Sequence, residues 1–484
     1  MAHTPSDLEA GLAAHTAGQM AAARARYERV LAREPDNSRA WFLLGNLHAA
    51  ERRPALAIAA FERCVRLQPG QSAAHNSLGC AWLAVREVRR AEASFRQAIA
   101  CAEPSAEAFS NLGALRRGEG DLAEAESLYR RALALRPDFA EVWCNLGVAL
   151  REQGRFADAV GALQQALALK PDLAEAHFNE SLLLLLQGDY RRGWEKHEYR
   201  WVTEQRGAGR DFSAPLWCGE TSLEGRTILL HAEQGLGDTL QFIRYVPLLR
   251  QRGAEVMLEV QPALLPLLGR EWGGARVFVR GERLPEFAWH CPLLSLPRAC
   301  GTTVEAIPRE VPYVVPPVAA RKKWSELVPA APGPRVGLVW FGNRQHKNDR
   351  NRSIPAAAIA RFVAHCPCTL FSLQKGTLSR EDAAVAGHPK LVNLTDRIAD
   401  FSDTAALIEH LDLVIAVDTS VAHLAGAMGK PVWILLPQVP DWRWLLERED
   451  SPWYPGARLF RQREARDWDS VLCRVRDELS RLGG

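Results

Sequence analysis

The sequence predicts two kinds of structure in one chain: an N-terminal α-solenoid, followed by two α/β domains with parallel sheets and a cleft between them. Two observations predict it. A pattern of small and large residues returns every 34 residues through the first two hundred. After Asp211 it gives way to short runs rich in Val, Ile and Leu that alternate with helical segments. The composition, 47% hydrophobic and 24% charged over 484 residues, suits a globular protein with several cores. A net charge of +3 argues against a general binder of nucleic acid or membrane surfaces.

The repeat is carried by Leu44-Gly45, Leu78-Gly79, Leu112-Gly113 and Leu146-Gly147. In the same frame alanine returns at Ala23, Ala57, Ala91, Ala125 and Ala159. Four residues later come Tyr27, Phe61, Phe95 and Tyr129, with Leu163 in the fifth copy. Prolines close the units at Pro35, Pro69, Pro137 and Pro171, with Pro104 displaced by one, and Trp41 and Trp143 stand three residues before their Leu-Gly pairs. Alternating large and small residues at helical spacing let paired helices pack closely and stack on their neighbours. The pattern resembles the tetratricopeptide repeat, with five units from about residue 4 to 173 and a degenerate sixth to about Arg200.

A solenoid of this kind presents a concave face built from the first helix of each unit. Asn111, Asn145 and Asn179 hold one site in three successive units, where the two preceding units have Leu43 and Ser77. An Asn side chain both donates and accepts, so such a ladder can hold an extended peptide by its backbone. It resembles the asparagine ladder in the repeat arm of the O-GlcNAc transferases. The alternative is a row of solvated Asn. In the sixth unit Trp194, Tyr199 and Trp201 crowd together and read as a cap against the next domain. A polar linker, 204–210, follows.

Strands are expected at 227–231, 255–260 and 276–279, with helices at 239–252 and 262–269 between them. After a proline-rich interruption from Pro312 to Pro334, further strands are expected at 335–340, 369–373, 391–394, 411–417 and 432–436. Apolar strands separated by helices make parallel sheets covered on both faces, here two Rossmann-like domains. The boundaries read 1–205 for the solenoid, 206–316 for the first α/β domain and 317–484 for the second. Ligands of such sheets bind where the strands end.

Three strand ends carry chemistry. The first runs into Glu233, Gln234, Gly235, Leu236, Gly237 and Asp238. There two glycines admit close backbone approach, and a helix start offers free N–H groups. The strand ending at Val417 runs into Asp418, Thr419, Ser420 and His423 at another helix start, which suits a diphosphate; the alternative is an Asp N-cap. The strand ending at Trp340 leads to Arg344, Lys347, Arg350 and Arg352, four cations on one loop, and Lys375 with Gly376 ends the next strand. Asp467-Trp468-Asp469 precedes the terminal helix and reads as an N-cap rather than a metal site. His231 reads as a core histidine or, alternatively, a cleft residue.

At these residues the second half resembles the ADP-heptose heptosyltransferases of glycosyltransferase family 9, which have the GT-B fold. Gly237-Asp238 matches the pair after their first strand, which implies Asp238 as general base for an acceptor hydroxyl. Asp418, Thr419 and His423 match their donor diphosphate segment, and Lys347 or Arg352 their phosphate-contacting base. The whole chain, with Asp441-Trp442-Arg443-Trp444 and Trp453-Tyr454-Pro455, looks like bacterial repeat proteins fused to a transferase domain. Glu233-Gln234 and the Trp-rich 441–454 stretch depart from the heptosyltransferases, which leaves sugar and acceptor open.

The resulting expectation is a metal-independent, nucleotide-sugar-dependent glycosyltransferase. A nucleotide-diphosphate sugar is its donor substrate, no cofactor is needed, and a protein or peptide acceptor is recruited by the repeat arm. Lys347, Arg350, Arg352, Lys375 and the 418–423 helix start would hold the diphosphate. The alternatives are an inactive scaffold that binds partners through its solenoid, and a phosphate-binding regulator without chemistry. The ten cysteines never form a CxxC pair and read as reduced thiols of a cytoplasmic protein. The start, Met1 to Ala10, is polar and acidic rather than signal-like. The longest apolar run, Leu182 to Leu186, is too short to cross a bilayer.

Overall fold

A computed structural model describes residues 6–203, 210, 212–346 and 348–482. Lys347 and most of the 204–210 linker lie outside these residues. By its contacts the chain divides into two compact units, 1–179 and 180–484. The helix Ala174–Leu186 runs through the division, and the sixth repeat's second helix, Tyr190–His197, belongs to the second unit.

The first unit consists of helix pairs, from Asp7–Thr16 with Met20–Arg33 to Ala140–Glu152 with Phe156–Leu169. The recurrent glycine and aromatic are two halves of one contact. A Cβ on Gly45 would lie 2.5 Å from the Phe61 ring, on Gly79 2.5 Å from Phe95, and on Gly113 2.8 Å from Tyr129. The same notch extends the repeat to Gly11 against Tyr27 at 2.6 Å, and Leu163 fills it against Gly147 at 2.8 Å. The closing prolines also have a partner. Trp41 Nε1 donates to the Pro35 carbonyl and Trp143 Nε1 to that of Pro137, both at 2.8 Å. His75 and His177 reach the Pro69 and Pro171 carbonyls at 2.9 and 2.8 Å from the same position of their own repeats.

Glycines inside these helices therefore differ in what they do. Gly161 has nothing within 4 Å of its would-be Cβ. Gly161→Ala should stabilise by about 0.5–1 kcal/mol through helix propensity alone. Gly79→Ala should instead destabilise by about 1–3 kcal/mol, because overpacking against Phe95 outweighs the same gain. Urea unfolding of the two variants reads the opposite signs, and two stabilisations would sink the notch argument.

The second unit holds two sheets. β1 (Thr227–His231), β2 (Glu255–Val260), β3 (Glu271–Trp272), β4 (Ala275–Val279) and β5 (Trp289–Pro292) are ordered β3-β4-β2-β1-β5, all parallel except the β3–β4 hairpin. β6 (Arg335–Val339), β7 (Thr369–Ser372), β8 (Leu391–Asn393), β9 (Leu413–Val417), β10 (Val432–Leu436) and β11 (Ala457–Arg461) form a second, wholly parallel sheet in the order β11-β10-β9-β6-β7-β8. Val336, Leu338, Ile415 and Leu435 pack there with Val471, Val475 and Leu479 of the terminal helix Trp468–Leu482. Asp467 caps that helix, its carboxylate accepting from Ser470 N at 3.1 Å.

Three departures from the expected elements have physical causes. The proline-rich passage contains a helix, Val318–Leu327, because its prolines flank the segment and none interrupts it; Trp324 anchors it, donating to Asp403 at 2.8 Å. β5 and β11 are absent from the sequence reading because one is a Trp-His-Cys-Pro run and the other alternates with arginine. The expected 239–252 helix starts earlier, at Leu236, and breaks into a 3₁₀ turn at 243–245. Asp238 causes the early start by accepting from Gly235 N at 2.7 Å, a cap reaching back over the first turn.

The aromatic cap forms inside the second unit, with a changed membership. Trp194 packs edge-on against Trp442, 5.1 Å between centroids, and Tyr190 stacks on Trp453 at 6.2 Å. Tyr199 and Trp201 stay partly exposed.

Candidate active site between the two sheets of the second unit

The loops after β1, β6, β7, β9 and β10 surround a cavity of about 1160 Å³. At its centre the N-terminal turns of the helices Leu236–Phe242 and Ser420–Ala427 meet. Gly237 is the point of closest approach: a Cβ there would lie 2.8 Å from His423 Cδ2 and 3.4 Å from Ser420 Cα. The glycine before Asp238 thus makes room for the opposite helix.

Around this junction three carboxylates share one buried arginine. Arg443 forms an ion pair with Asp238, donates to Asp441 at 2.8 Å and to Gln241 Oε1 at 2.6 Å, and lies 8% exposed. Burial works against its charge, but Asp441, Asp238 and Asp418 more than offset this and hold it protonated. Asp238 feels burial most, which raises its pKa, while Arg443 and the Gly235 N–H pull the other way. Asp418 is pushed up to about 6, first by burial and then by Asp441. His423 Nε2 lies 3.8 Å from Asp418 Oδ1, its Nδ1 is 2.8 Å from the Tyr454 hydroxyl, and its ring stacks on Trp444. Burial keeps this imidazole neutral far below the usual range.

The sequence-predicted residues separate into groups. Asp238, Gln234, Gly235, Gly237, Arg352, Lys375, Asp418, Thr419, Ser420 and His423 line the cavity. Arg352 donates to the Asp418 carbonyl at 3.1 Å, and Lys375 reaches the Thr395 carbonyl at 2.6 Å. Thr419 takes the N-cap position, yet its buried hydroxyl has no partner and caps nothing. Arg350 is not among the lining residues and is exposed. Glu233 is buried behind the loop, bonded to Arg200 at 2.9 Å and accepting from Leu294 N. Arg200 also meets Glu198 at 2.6 Å and Ser295 at 2.6 Å, which explains why an acidic residue stands there. His231 is in the core, 3.2 Å from His290, and burial lowers it to about 3.

In the first unit the Asn positions are half-buried. Asn111 Nδ2 donates to Asn76 of the preceding repeat at 2.9 Å, and Asn179 donates to the Glu175 carbonyl at 2.7 Å. Among the described residues no cluster of three or more His, Cys, Asp or Glu could hold a metal ion, and no helix is long and apolar enough to cross a membrane.

Arg344 of the cationic loop lines the cavity as well, and so do Arg443, Asp441 and Gln374, to which the sequence assigned no role in the site. Gln374 Oε1 accepts from the backbone N–H of both Trp340 and Phe341 at 3.0 Å, fixing the loop after β6. Asp-Trp-Arg-Trp following β10, the neighbour of β9, is the signal by which Arg443 can be found.

Asp418 gives the site a pH dependence. Its folded-state pKa exceeds the ordinary value of 3.8, so its stabilising contribution is complete at low pH and disappears as pH rises through about 6. Asp418→Asn should therefore gain in melting temperature relative to the parent between pH 4 and pH 7. A difference that stays constant across that range would refute the assignment.

Comparison with known proteins extends these observations. Residues 8–72 and 104–172 match the tetratricopeptide repeat, and residues 364–436 match glycosyltransferase family 9 (heptosyltransferase). The last match spans β7 to β10 and includes Lys375, Asp418, Thr419, Ser420 and His423. Protein FlbA of Caulobacter vibrioides is 29% identical over 320 residues, 60% of this chain and 53% of FlbA, so the alignment spans about half of that relative. Among solved structures, the APC/C hetero-tetramer Cut9-Hcn1 is 21% identical, covering 42% of this chain and 40% of that one, with a TM-score of 0.38. MamA is 25% identical over 34% of this chain and 96% of its own, with a TM-score of 0.31. The chain thus joins tetratricopeptide repeats to a glycosyltransferase family 9 domain.

Proposed function

We propose that the second unit is a GT-B glycosyltransferase that takes a nucleotide-diphosphate sugar into the 1160 Å³ cavity without a metal and passes the sugar to an acceptor hydroxyl. The observation that carries this reading is the meeting of two helix N-termini at a cavity that also holds Asp238, Arg352 and Lys375. Helix N-termini and cations stabilise a leaving diphosphate, and the half-sunken Asp238 carboxylate is a base for the acceptor. The solenoid would recruit the acceptor, a protein or peptide, along the face bearing Asn111, Asn145 and Asn179. A cytoplasmic setting fits the ten free cysteines.

One observation favours the scaffold reading. Both Asp238 oxygens are engaged, one by Arg443 and the other by Gly235 N, as in a purely structural cap. A thermal-shift panel of ADP-, UDP-, GDP- and CMP-sugars, followed by donor hydrolysis with the responding compound, tests both. A ligand at a hundred times its Kd stabilises by about 2.7 kcal/mol. No response to any compound supports the scaffold. Binding without turnover, indifferent to Asp238→Ala, supports a phosphate-binding regulator.

A further inference from the structure

Tyr454 lies outside the cavity lining, yet its hydroxyl is 2.8 Å from His423 Nδ1. The two side chains are 1% and 5% exposed, so water does not decide this bond. Tyr454 is itself held firmly. Its ring fills the space left by Gly426, where a Cβ would sit 2.5 Å away, and Arg244 lies over it at 4.7 Å from the centroid. Arg244 is fixed in turn by the Trp453 carbonyl at 2.6 Å and by Tyr313, whose own hydroxyl donates to the Leu240 carbonyl.

A neutral imidazole carries one proton, and the partner of one nitrogen settles what the other presents. If Nδ1 donated to Tyr454, Nε2 would turn a lone pair toward the Asp418 carboxylate 3.8 Å away, acceptor against acceptor. If Tyr454 donates to Nδ1, Nε2 carries the hydrogen and points it toward that carboxylate and the helix start. The charged groups nearest the ring are Asp418, Arg443 and Arg244, and the two cations disfavour a doubly protonated imidazolium.

We propose that Tyr454 is a positioning residue that holds His423 as the neutral imidazole protonated on Nε2, so that the ring offers a hydrogen-bond donor to a diphosphate oxygen at the Ser420–Ala427 helix start. The role of that donor rests on the transferase reading; the tautomer does not. A neutral N–H gains strength as negative charge develops on the leaving diphosphate, and it needs no proton transfer to do so. Gly237 and Trp444, one leaving space beside the ring and the other stacked on it, complete the orientation.

The experiment uses the full chain with ¹⁵N-labelled histidine at pH 7.5 and long-range ¹⁵N–¹H spectra. The His423 signals, identified among 13 histidines by their loss in His423→Gln, are expected to show the Nε2-protonated form. Tyr454→Phe, which keeps the ring, is expected to shift them toward the Nδ1-protonated form. An Nδ1-protonated or doubly protonated ring in the parent, or an unchanged spectrum in Tyr454→Phe, overturns the proposal. With the donor identified, kcat in Tyr454→Phe should fall about 10- to 100-fold, the range seen when a partner orienting a functional histidine is removed, with less change in KM. An unaffected kcat overturns the donor role. If the parent turns over no nucleotide sugar at all, the transferase reading fails while the tautomer is still decided by the spectrum.

Discussion

Replacing Asp238 with asparagine is expected to lower kcat for sugar transfer by about 10²–10⁴-fold, the usual contribution of a general base. Asparagine keeps the shape and one hydrogen-bonding oxygen, so the back-bond to Gly235 N can persist and the helix start is retained. The pH–rate profile separates a base from a cap. Burial raises the Asp238 pKa above the ordinary carboxylate value. The rate of the parent should therefore climb with pH as this carboxyl ionises and level off above it. Asp238→Asn should lose that acid limb along with the rate. A variant that binds the nucleotide sugar and turns it over at the parent's rate would reduce Asp238 to a structural cap.

Replacing Arg443 with methionine should have the largest effect on stability. The volume is partly kept, but Asp238 and Asp441 lose their common counter-ion in a place where Arg443 is only 8% exposed. Breaking a buried pair from one side costs about 3–5 kcal/mol, because the remaining charge stays behind. The loss should be smaller at pH 5 than at pH 7.5. Without the guanidinium the raised pKa values of Asp238 and Asp418 rise further, so protonation at low pH removes part of the strain. Chemical unfolding at the two pH values measures both numbers. Equal losses would mean that packing of the guanidinium against Trp442, not its charge, is what matters. Arg443→Lys should recover only part of the stability, since an ammonium cannot span Gln241, Asp238 and Asp441 as a planar fork does.

What could be read from sequence was local or periodic. The solenoid was legible because Gly79 and Phe95, sixteen residues apart, form one contact that recurs through the first five units, with Leu163 in place of the ring in the fifth. β1, β2 and β9 were legible because strands buried on both faces are continuous apolar runs, and the helix start at Ser420 followed from the hydroxyl residues after such a run, whereas the start at Leu236, three residues before the expected Thr239, depends on the back-bond from Asp238 to Gly235 N. Arg443 was not, because its meaning lies in Asp238, two hundred residues away, and nothing in Asp-Trp-Arg-Trp alone names a partner. Glu233 was misread for the same reason. Beside two glycines it looked like part of a binding loop, whereas Arg200 draws it inward. Gly237 gained a reason that the sequence could not show, the fit of His423 against its backbone.

The place of Arg200 bears on how such proteins can be recombined. The repeat pattern fades near residue 200, and a crossover there would look natural to anyone exchanging one arm for another. A hybrid joined after residue 205 would nevertheless leave Glu233 facing a stranger, and would strip Tyr190 and Trp194 from beneath Trp453 and Trp442. The inheritable cassette begins upstream, at or before Ala174, where the chain enters the helix that carries it into the second unit.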